Sequence, residues 1–181
     1  ICGKQVSTPS GKGETKYRVF PEEMQKAVRR YTSAGGNMIV SGAYIGTDIW
    51  DQVYPVAIDE EFRKSSIEFA QKVLGYRWNG NTASRSGIAV PYGGCFKGMG
   101  DIGIFNVQNE ERYCVESPDG ISPASSDGSS VLRYKDTSVS AGITYQGKGY
   151  RTICLGFPIE VITDDDDIRD IMASCLSFLE K

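Results

Sequence analysis

Histidine is absent from the 181-residue chain. Nucleophile relays of the Ser-His and Cys-His types need a base with a pKa near neutral, and histidine is the usual supplier. The usual relays are therefore excluded. A zinc site would have to be built from cysteines and carboxylates alone, without imidazole ligands.

The sequence also lacks long apolar runs and any excess of basic charge. No segment approaches the roughly 20 consecutive apolar residues of a membrane helix, so no membrane span is predicted. The formal net charge is −3, which does not favour a nucleic-acid partner. No signal peptide is visible. The chain opens with Ile1 rather than Met, which leaves room for a removed leader or upstream region.

The cysteines give neither a disulfide framework nor a metal motif, because their number is odd and no two have C-x-x-C spacing. Cys154 in an apolar strand and Cys175 on an apolar helix face are predicted to be buried structural thiols. Cys95, in a glycine-rich loop, is the one candidate for a reactive thiol. No base is nearby in sequence, so a structural role is favoured for it too. The five cysteines are Cys2, Cys95, Cys114, Cys154 and Cys175.

The segment 37–51 is the centre of the predicted fold. An amphipathic helix over 21–34 and a Gly-Gly turn precede it, and its apolar run over 38–40 predicts a short buried strand. Residues 42–46 then have the form G-x-Y-x-G. A nucleophile elbow has Ser or Cys at the middle position, where this chain has Tyr44. The pattern predicts the geometry of a catalytic elbow without its usual nucleophile.

The other elements complete a predicted α/β fold. We expect a three-layer sandwich with a mostly parallel central sheet, strand 37–42 in its middle, and an antiparallel hairpin near the C-terminus. Residues 117–130 are rich in Ser, Pro, Asp and Gly and predict an exposed loop. The further predicted elements are a helix over 59–74, short strands within 76–107, strands over 131–134, 138–145 and 150–155, and a terminal helix capped by Thr163.

This order of parts resembles the class I glutamine amidotransferase-like family, whose fold is flavodoxin-like. That family has a G-x-C-x-G elbow and, after a late hairpin, a His-Pro-Glu motif before the terminal helix. Residues 42–46 correspond to the elbow and residues 156–160 to the His-Pro-Glu motif, while loop 3–13 would correspond to the oxyanion-stabilising loop. Tyr44 replaces the cysteine, and no histidine precedes Glu160. The resemblance implies one domain over 1–181 that lacks the family's first β-α unit.

Three segments are also similar to large secreted multidomain proteins of Bacteroides-type gut bacteria that are labelled xanthan lyase-like. The segments are 34–51, 111–121 and 150–160. This resemblance implies a secreted, periplasmic or cell-surface location and a role in polysaccharide processing. The partners it implies are other domains of the parent chain and a carbohydrate. A dimer through an exposed sheet edge is a further expectation, because a missing first unit would leave that edge uncovered.

Six residues are candidates for ligand binding. Lys4 and Gln5 lie near the end of a strand predicted over 1–6, and Tyr44 lies at the elbow. Asp48 and Trp50 place a carboxylate next to an aromatic ring, which suits sugar recognition. Each candidate also has a structural alternative. Lys4 and Gln5 would form an ordinary strand end, and the Tyr44 ring would pack into the core. Asp48 would cap a short helix, Trp50 would pack in the core, and Glu160 would only accept a structural hydrogen bond. The candidates are Lys4, Gln5, Tyr44, Asp48, Trp50 and Glu160.

Two functions are compatible with these residues. The first is a non-catalytic module, a scaffold or glycan-binding part of a secreted polysaccharide-processing protein. The second is a carbohydrate-active enzyme, a polysaccharide lyase or glycoside hydrolase, that uses Tyr44 or the carboxylates Asp48 and Glu160. A glycosidase pair must lie roughly 5 to 9.5 Å apart. No glutaminase activity is expected, because a phenol with a pKa of about 10 is a poor nucleophile at neutral pH. Neither a metal nor a cofactor is predicted.

Overall fold

A six-stranded mixed sheet organises the computed structural model, which describes residues 18–51 and 60–180. A separate antiparallel pair is formed by β2 and β5. The strands are β1 (Met38–Ser41), β2 (Tyr76–Gly80), β3 (Ile88–Pro91), β4 (Ile102–Gly103), β5 (Gly120–Pro123), β6 (Gly128–Tyr134), β7 (Ser140–Gly147) and β8 (Tyr150–Leu155). The helices are α1 (Glu22–Ser33), α2 (Thr47–Trp50), α3 (Glu60–Phe69), which continues as a π-helical turn (Ala70–Leu74), and α4 (Asp165–Leu179).

The sheet is mostly antiparallel, so the predicted flavodoxin-like, Rossmann-like sandwich with a mostly parallel sheet is wrong. The strand order is β1-β8-β7-β6-β3-β4, and only β1 and β8 run parallel. Short turns join β6 to β7 and β7 to β8, whereas a parallel connection needs a crossover of about a dozen residues or more. Nor is β1 central, since among the described strands it pairs only with β8.

The sheet curls into a half-barrel, and the chain that follows β8 helps to hold the curl. Ile104, just after β4, forms an antiparallel bridge with Ile162. The Phe105 amide donates to the Val161 carbonyl at 2.8 Å, and the Thr163 amide donates to the Gly103 carbonyl at 2.9 Å. The segment after β8 is thereby fixed against the opposite edge strand.

Two apolar clusters form the core, and β1 contributes to both. Val40 is fully buried in the cluster that also receives Val28 of α1 and Phe69 of α3. Ile39 packs against the other cluster, which receives Ile171 of α4. The alternation follows from the two-residue period of a strand. The chain after β1 can therefore send side chains into either cluster.

The N-cap of the terminal helix lies one residue later than predicted. Asp164 is the N-cap, and its carboxylate accepts a hydrogen bond from the Asp166 amide at 2.8 Å. The predicted cap, Thr163, instead uses its amide to bond β4. Acidic residues fill the first turn of α4, where they complement the positive end of the helix dipole. None of the helices within 18–51 and 60–180 is long and apolar enough to cross a membrane.

The end of the π-helical turn is capped by side chains from β8. The Leu74 carbonyl accepts a hydrogen bond from the Thr152 hydroxyl at 2.7 Å, and the Val73 carbonyl accepts one from the Tyr150 hydroxyl at 2.9 Å. The next residue, Gly75, has φ +86°, a left-handed conformation that favours glycine. Carbonyls that a helix end leaves without intrahelical partners are thus satisfied from the sheet.

The predicted exposed loop over 117–130 is wrong. It contains β5 and the first residues of β6, and both Asp119 and Ile121 are fully buried. The turn-forming residues lie at both ends of β5. Local composition cannot predict that β5 pairs with β2, some 40 residues earlier in the chain.

Candidate functional site

Tyr44 lies in the turn that follows β1 and is half-buried against the cluster that contains Ile171. The turn remains attached to the sheet, since the Gly42 amide donates to the Leu155 carbonyl at 3.1 Å. Burial raises the pKa of the Tyr44 phenol, and the negative charges of Asp119 and Glu116 raise it further. The phenolate is therefore even less accessible than in an exposed tyrosine, which makes Tyr44 a poor nucleophile or base.

A buried carboxylate, Asp119, holds the second half of the elbow. It accepts hydrogen bonds from the amides of Gly46 and Thr47 at 2.7 and 3.1 Å, from the Thr47 hydroxyl, and from the Trp78 indole N–H at 3.0 Å. Burial raises the pKa of Asp119 to about 7, while these donors oppose the rise. The amides at the end of the elbow and the start of α2 are thus already bonded to a side chain of the protein itself.

The main chain of Asp119 is tied to the sheet as closely as its side chain is tied to the elbow. Its amide donates to the Gly156 carbonyl at 2.8 Å, and its carbonyl accepts from the Tyr134 hydroxyl at 2.9 Å. A Cβ at Gly156 would lie 2.0 Å from the Asp119 carbonyl oxygen. Sequence reasoning missed Asp119, because an Asp-Gly pair is typical of exposed turns and carries no sign of burial.

Gly46, the last residue of the elbow pattern, is required by packing. Its φ of −100° is open to any residue, but a Cβ would lie 2.3 Å from Cδ1 of Trp78. The indole packs on the elbow and donates to Asp119 from the same position. The small residue that the pattern singled out is therefore explained by the docking of Trp78.

Asp48 and Trp50 are directed into the other apolar cluster, away from the one that Tyr44 contacts. Asp48 is 6% exposed, and its Oδ2 accepts a hydrogen bond from the Val19 amide at 2.9 Å. Trp50 packs on the cluster with its ring 6.0 Å from that of Tyr76. The two residues have structural contacts, and the structure does not bring them together with Tyr44 to form one site.

Glu160 is exposed, in a short 3-10 turn (Ile159–Val161) after β8. Its Oε1 accepts a hydrogen bond from the Tyr113 hydroxyl at 2.6 Å. Arg112 fixes the same turn by donating to the Ile162 carbonyl at 2.6 Å and by pairing with the Asp165 carboxylate. A carboxylate, a phenol and a guanidinium are therefore grouped at this surface.

Glu160 lies on the rim of a groove of about 600 Å³ at the carboxyl end of β1. Its lining is mostly apolar and consists of Ile39, Ser41, Arg112, Ile159, Glu160, Ile168 and Met172. Asp48 lines a different, small cavity together with Phe20 and Phe62, and no residue lines both. In the part of the chain that the structure describes, the two candidate carboxylates thus line separate pockets. The other two candidates, Lys4 and Gln5, lie outside the described residues.

Within the described ranges, no group of three or more Cys, Asp or Glu side chains could hold a metal ion. Cys154 and Cys175 are fully buried, as predicted, and burial raises the pKa of each thiol to about 12. Cys95 is half-buried in a 3-10 turn (Gly94–Phe96).

Comparisons with known proteins do not identify the chain. No family model matches the sequence, and no curated protein matches it significantly. The amidotransferase-like relationship and the secreted context therefore stay predictions from the sequence.

Proposed function

We propose that the chain is a non-catalytic module of a secreted polysaccharide-processing protein and that it binds a sugar chain at Glu160 and Tyr113. The observation that carries this proposal is the 2.6 Å hydrogen bond between them at an exposed surface. Tyr113 is 36% exposed, so its ring can meet the apolar face of a sugar while the carboxylate accepts hydroxyl hydrogens. This is the combination that the sequence predicted for Asp48 and Trp50.

The contacts of the elbow residues weigh against turnover. Glycoside hydrolysis needs two carboxylates across one bond, and Asp48 and Glu160 line separate cavities. A lyase needs a base, and the raised pKa of Tyr44 keeps its phenol protonated at neutral pH. The elbow amides of Gly46 and Thr47 already bond to Asp119. Each group that could act at the elbow has a structural contact instead.

The test combines a glycan array with calorimetry and a turnover screen, on this domain and on the intact parent chain. We expect sugar binding without turnover, weakened roughly tenfold by Glu160→Gln and by Tyr113→Ala. Tyr113→Phe keeps the ring and should have a smaller effect. Glu180→Gln, which removes another exposed carboxylate at the end of α4, is the matched control and should bind like the unaltered protein.

Two results would contradict the proposal. Turnover that falls in Asp48→Asn or Glu160→Gln would establish the enzymatic alternative. Sugar binding that is unchanged in Glu160→Gln and Tyr113→Ala, or absent from the unaltered protein and its parent, would remove the binding role at this surface and favour a scaffold.

A further inference from the structure

Arg133 and Tyr92 form a stacked pair on the surface of the sheet. Arg133 lies on β6 between Leu132 and Tyr134, which are both fully buried, and is itself only half-buried. Its guanidinium carbon is 3.4 Å from the centroid of the Tyr92 ring. Tyr92 directly follows β3 and is 56% exposed. The pair therefore presents a cation and an aromatic ring side by side to solvent.

The guanidinium of Arg133 has no acceptor within residues 18–51 and 60–180. Its Nε is shielded from solvent and makes no hydrogen bond. The other stacked arginine on the sheet differs in this respect, because Arg151 lies near the Phe178 ring and also donates to the Phe178 carbonyl at 2.8 Å. Arginine donors that have lost water usually find an acceptor in the protein or a ligand. Arg133 is thus stacked on Tyr92, and the two terminal nitrogens of its guanidinium, rather than the shielded Nε, are the donors left for a ligand.

The surface beside the pair is open at Gly93, whereas the chain that carries Tyr92 is packed firmly on β6. A Cβ at Gly93 would meet nothing within 4 Å, so the surface beside Tyr92 is unobstructed. Gly94 has φ +57°, and a Cβ there would lie 2.7 Å from Cγ1 of Val131. The turn after Tyr92 therefore packs closely on β6. The Tyr92 amide is also fixed, since it donates to the Val131 carbonyl at 2.8 Å.

We propose that Arg133 and Tyr92 bind a carboxylate-bearing sugar unit of an acidic polysaccharide. The planar guanidinium can hold a carboxylate through two parallel hydrogen bonds. The exposed part of the Tyr92 ring can contact the sugar that carries the carboxylate. An open surface suits a polymer, which runs past the pair, better than a small molecule, which needs enclosure. This inference rests on the proposed binding role and adds the ligand class and a second contact surface.

The charge of the chain distinguishes this ligand from other polyanions. Non-specific binding of phosphate polymers depends on many neutralising Lys and Arg side chains. The chain carries a formal net charge of −3, so it has no general attraction for polyanions. Recognition must be local, through one stacked guanidinium. We therefore expect binding to follow the carboxylate and its sugar rather than charge density.

The experiment measures the binding of the full chain to polygalacturonate by calorimetry. The same polymer after carboxyl reduction and dextran sulfate serve as comparison ligands. We expect roughly tenfold weaker binding when the carboxyls are reduced and when Arg133→Met or Tyr92→Leu is introduced. Arg133→Lys should rescue only part of the loss, because lysine cannot form the bidentate contact. Arg30→Met, an equal charge change at an exposed position of α1, should have no effect.

Several outcomes would overturn the inference. They are unchanged affinity in Arg133→Met, equal binding of the reduced polymer, and dextran sulfate binding as tightly as polygalacturonate. If Arg133→Met does not fold, as judged by circular dichroism, the preference of the unaltered protein for the carboxylated over the reduced polymer still decides. Binding that is lost in Glu160→Gln but retained in Arg133→Met would leave the proposed function standing and remove this second surface.

Discussion

Asp119 bonds the first residue after β8 and Glu160 lies a few residues further along the same segment, but the surroundings of the two carboxylates are opposite. Asp119 is fully buried and accepts hydrogen bonds from two amides, a hydroxyl and an indole. Glu160 is exposed and accepts one from Tyr113. The buried acid has used its acceptor capacity to build the elbow, and the exposed acid can still accept bonds from a ligand. Asp119 is therefore a structural acid and Glu160 a candidate binding group, because only Glu160 has oxygen lone pairs left to accept further hydrogen bonds. Position in a motif does not distinguish the two.

The largest expected effect comes from removing the buried acid. Asp119→Ala leaves the amides of Gly46 and Thr47 and the indole of Trp78 buried without an acceptor, which should lower the free energy of unfolding by about 3–5 kcal/mol. Urea denaturation measures this loss in the free energy of unfolding. In the control, Asp101→Ala breaks only an exposed ion pair with Lys135 and should cost about 0–1 kcal/mol. Equal costs for the two variants would contradict the structural role of Asp119.

The buried acid should also give the protein an unusual pH dependence. Its pKa is raised from 3.8 to about 7 on folding, so between these values the folded state binds a proton that the unfolded state does not. The contribution of Asp119 to stability should therefore fall as pH rises from about 4 to 7, by up to about 4 kcal/mol, and stay level above that.

The measurement compares the urea midpoints of the unaltered protein and of Asp119→Asn at about pH 5 and about pH 8. The amide does not titrate, so the difference between the two proteins isolates Asp119. That difference should be larger at the lower pH. A difference that does not change with pH would show that Asp119 is ionised throughout.

The close approach of Gly156 to Asp119 gives the next largest effect. In Gly156→Ala the new methyl would lie 2.0 Å from the Asp119 carbonyl oxygen, and the required backbone shift should cost about 1–3 kcal/mol. Gly93→Ala adds the same methyl where nothing lies within 4 Å. Thermal or urea denaturation should find that variant within about 1 kcal/mol of the unaltered protein. A larger loss in Gly93→Ala than in Gly156→Ala would contradict the packing.

Glu160→Gln should hardly change stability, in contrast to Asp119→Ala. The side chain is exposed and accepts a single hydrogen bond, so we expect a change within about 0.5 kcal/mol. Its effect should appear in sugar affinity instead. A variant that unfolds at a clearly lower urea concentration would place Glu160 among the structural acids and undo the contrast with Asp119.

The smallest expected effect is that of Tyr44→Phe on chemistry. The phenol has a raised pKa, so neither the unaltered protein nor the variant should release ammonia from glutamine. A coupled ammonia assay measures this, with a known glutaminase as the positive control. Ammonia release that disappears in Tyr44→Phe would show that the elbow is catalytic.

Local patterns in the sequence predicted elements but not their arrangement. The periodicity of α1 and α4 identified both helices to within a residue or two, because each has one apolar face. Strand direction is set by partners far along the chain. Met38 lies opposite Thr152 in the one parallel pair among the described strands, and nothing near either residue specifies that pairing; the antiparallel hairpin of β7 and β8 was predicted because its turn is local. The family resemblance supplied a parallel sheet where the strand connections are too short for one.

The sequence predicted the type of candidate site, a carboxylate next to an aromatic ring, but not which two residues form it. The glycine of the elbow was accessible from sequence, since it follows from a local chain feature. Glu160 was a candidate because of its position in the motif that the family resemblance supplied. Asp119 was not, because its burial depends on Trp78 and on a pairing between β2 and β5. Tyr113 and Tyr92 were not either, because an aromatic residue in a loop gives no sign of which polar group will lie next to it.

The caps on the π-helical turn that continues α3 have a consequence for local unfolding of the protein. Thr152 and Leu74 are 78 residues apart in the chain, yet one donates to the carbonyl of the other, and Tyr150 does the same for Val73. These hydrogen bonds therefore join the helix end to the β7–β8 hairpin and close the chain between residues 74 and 150 into a loop. Amide hydrogens at both places should exchange with solvent as one cooperative unit, since releasing either half leaves the other without its partners.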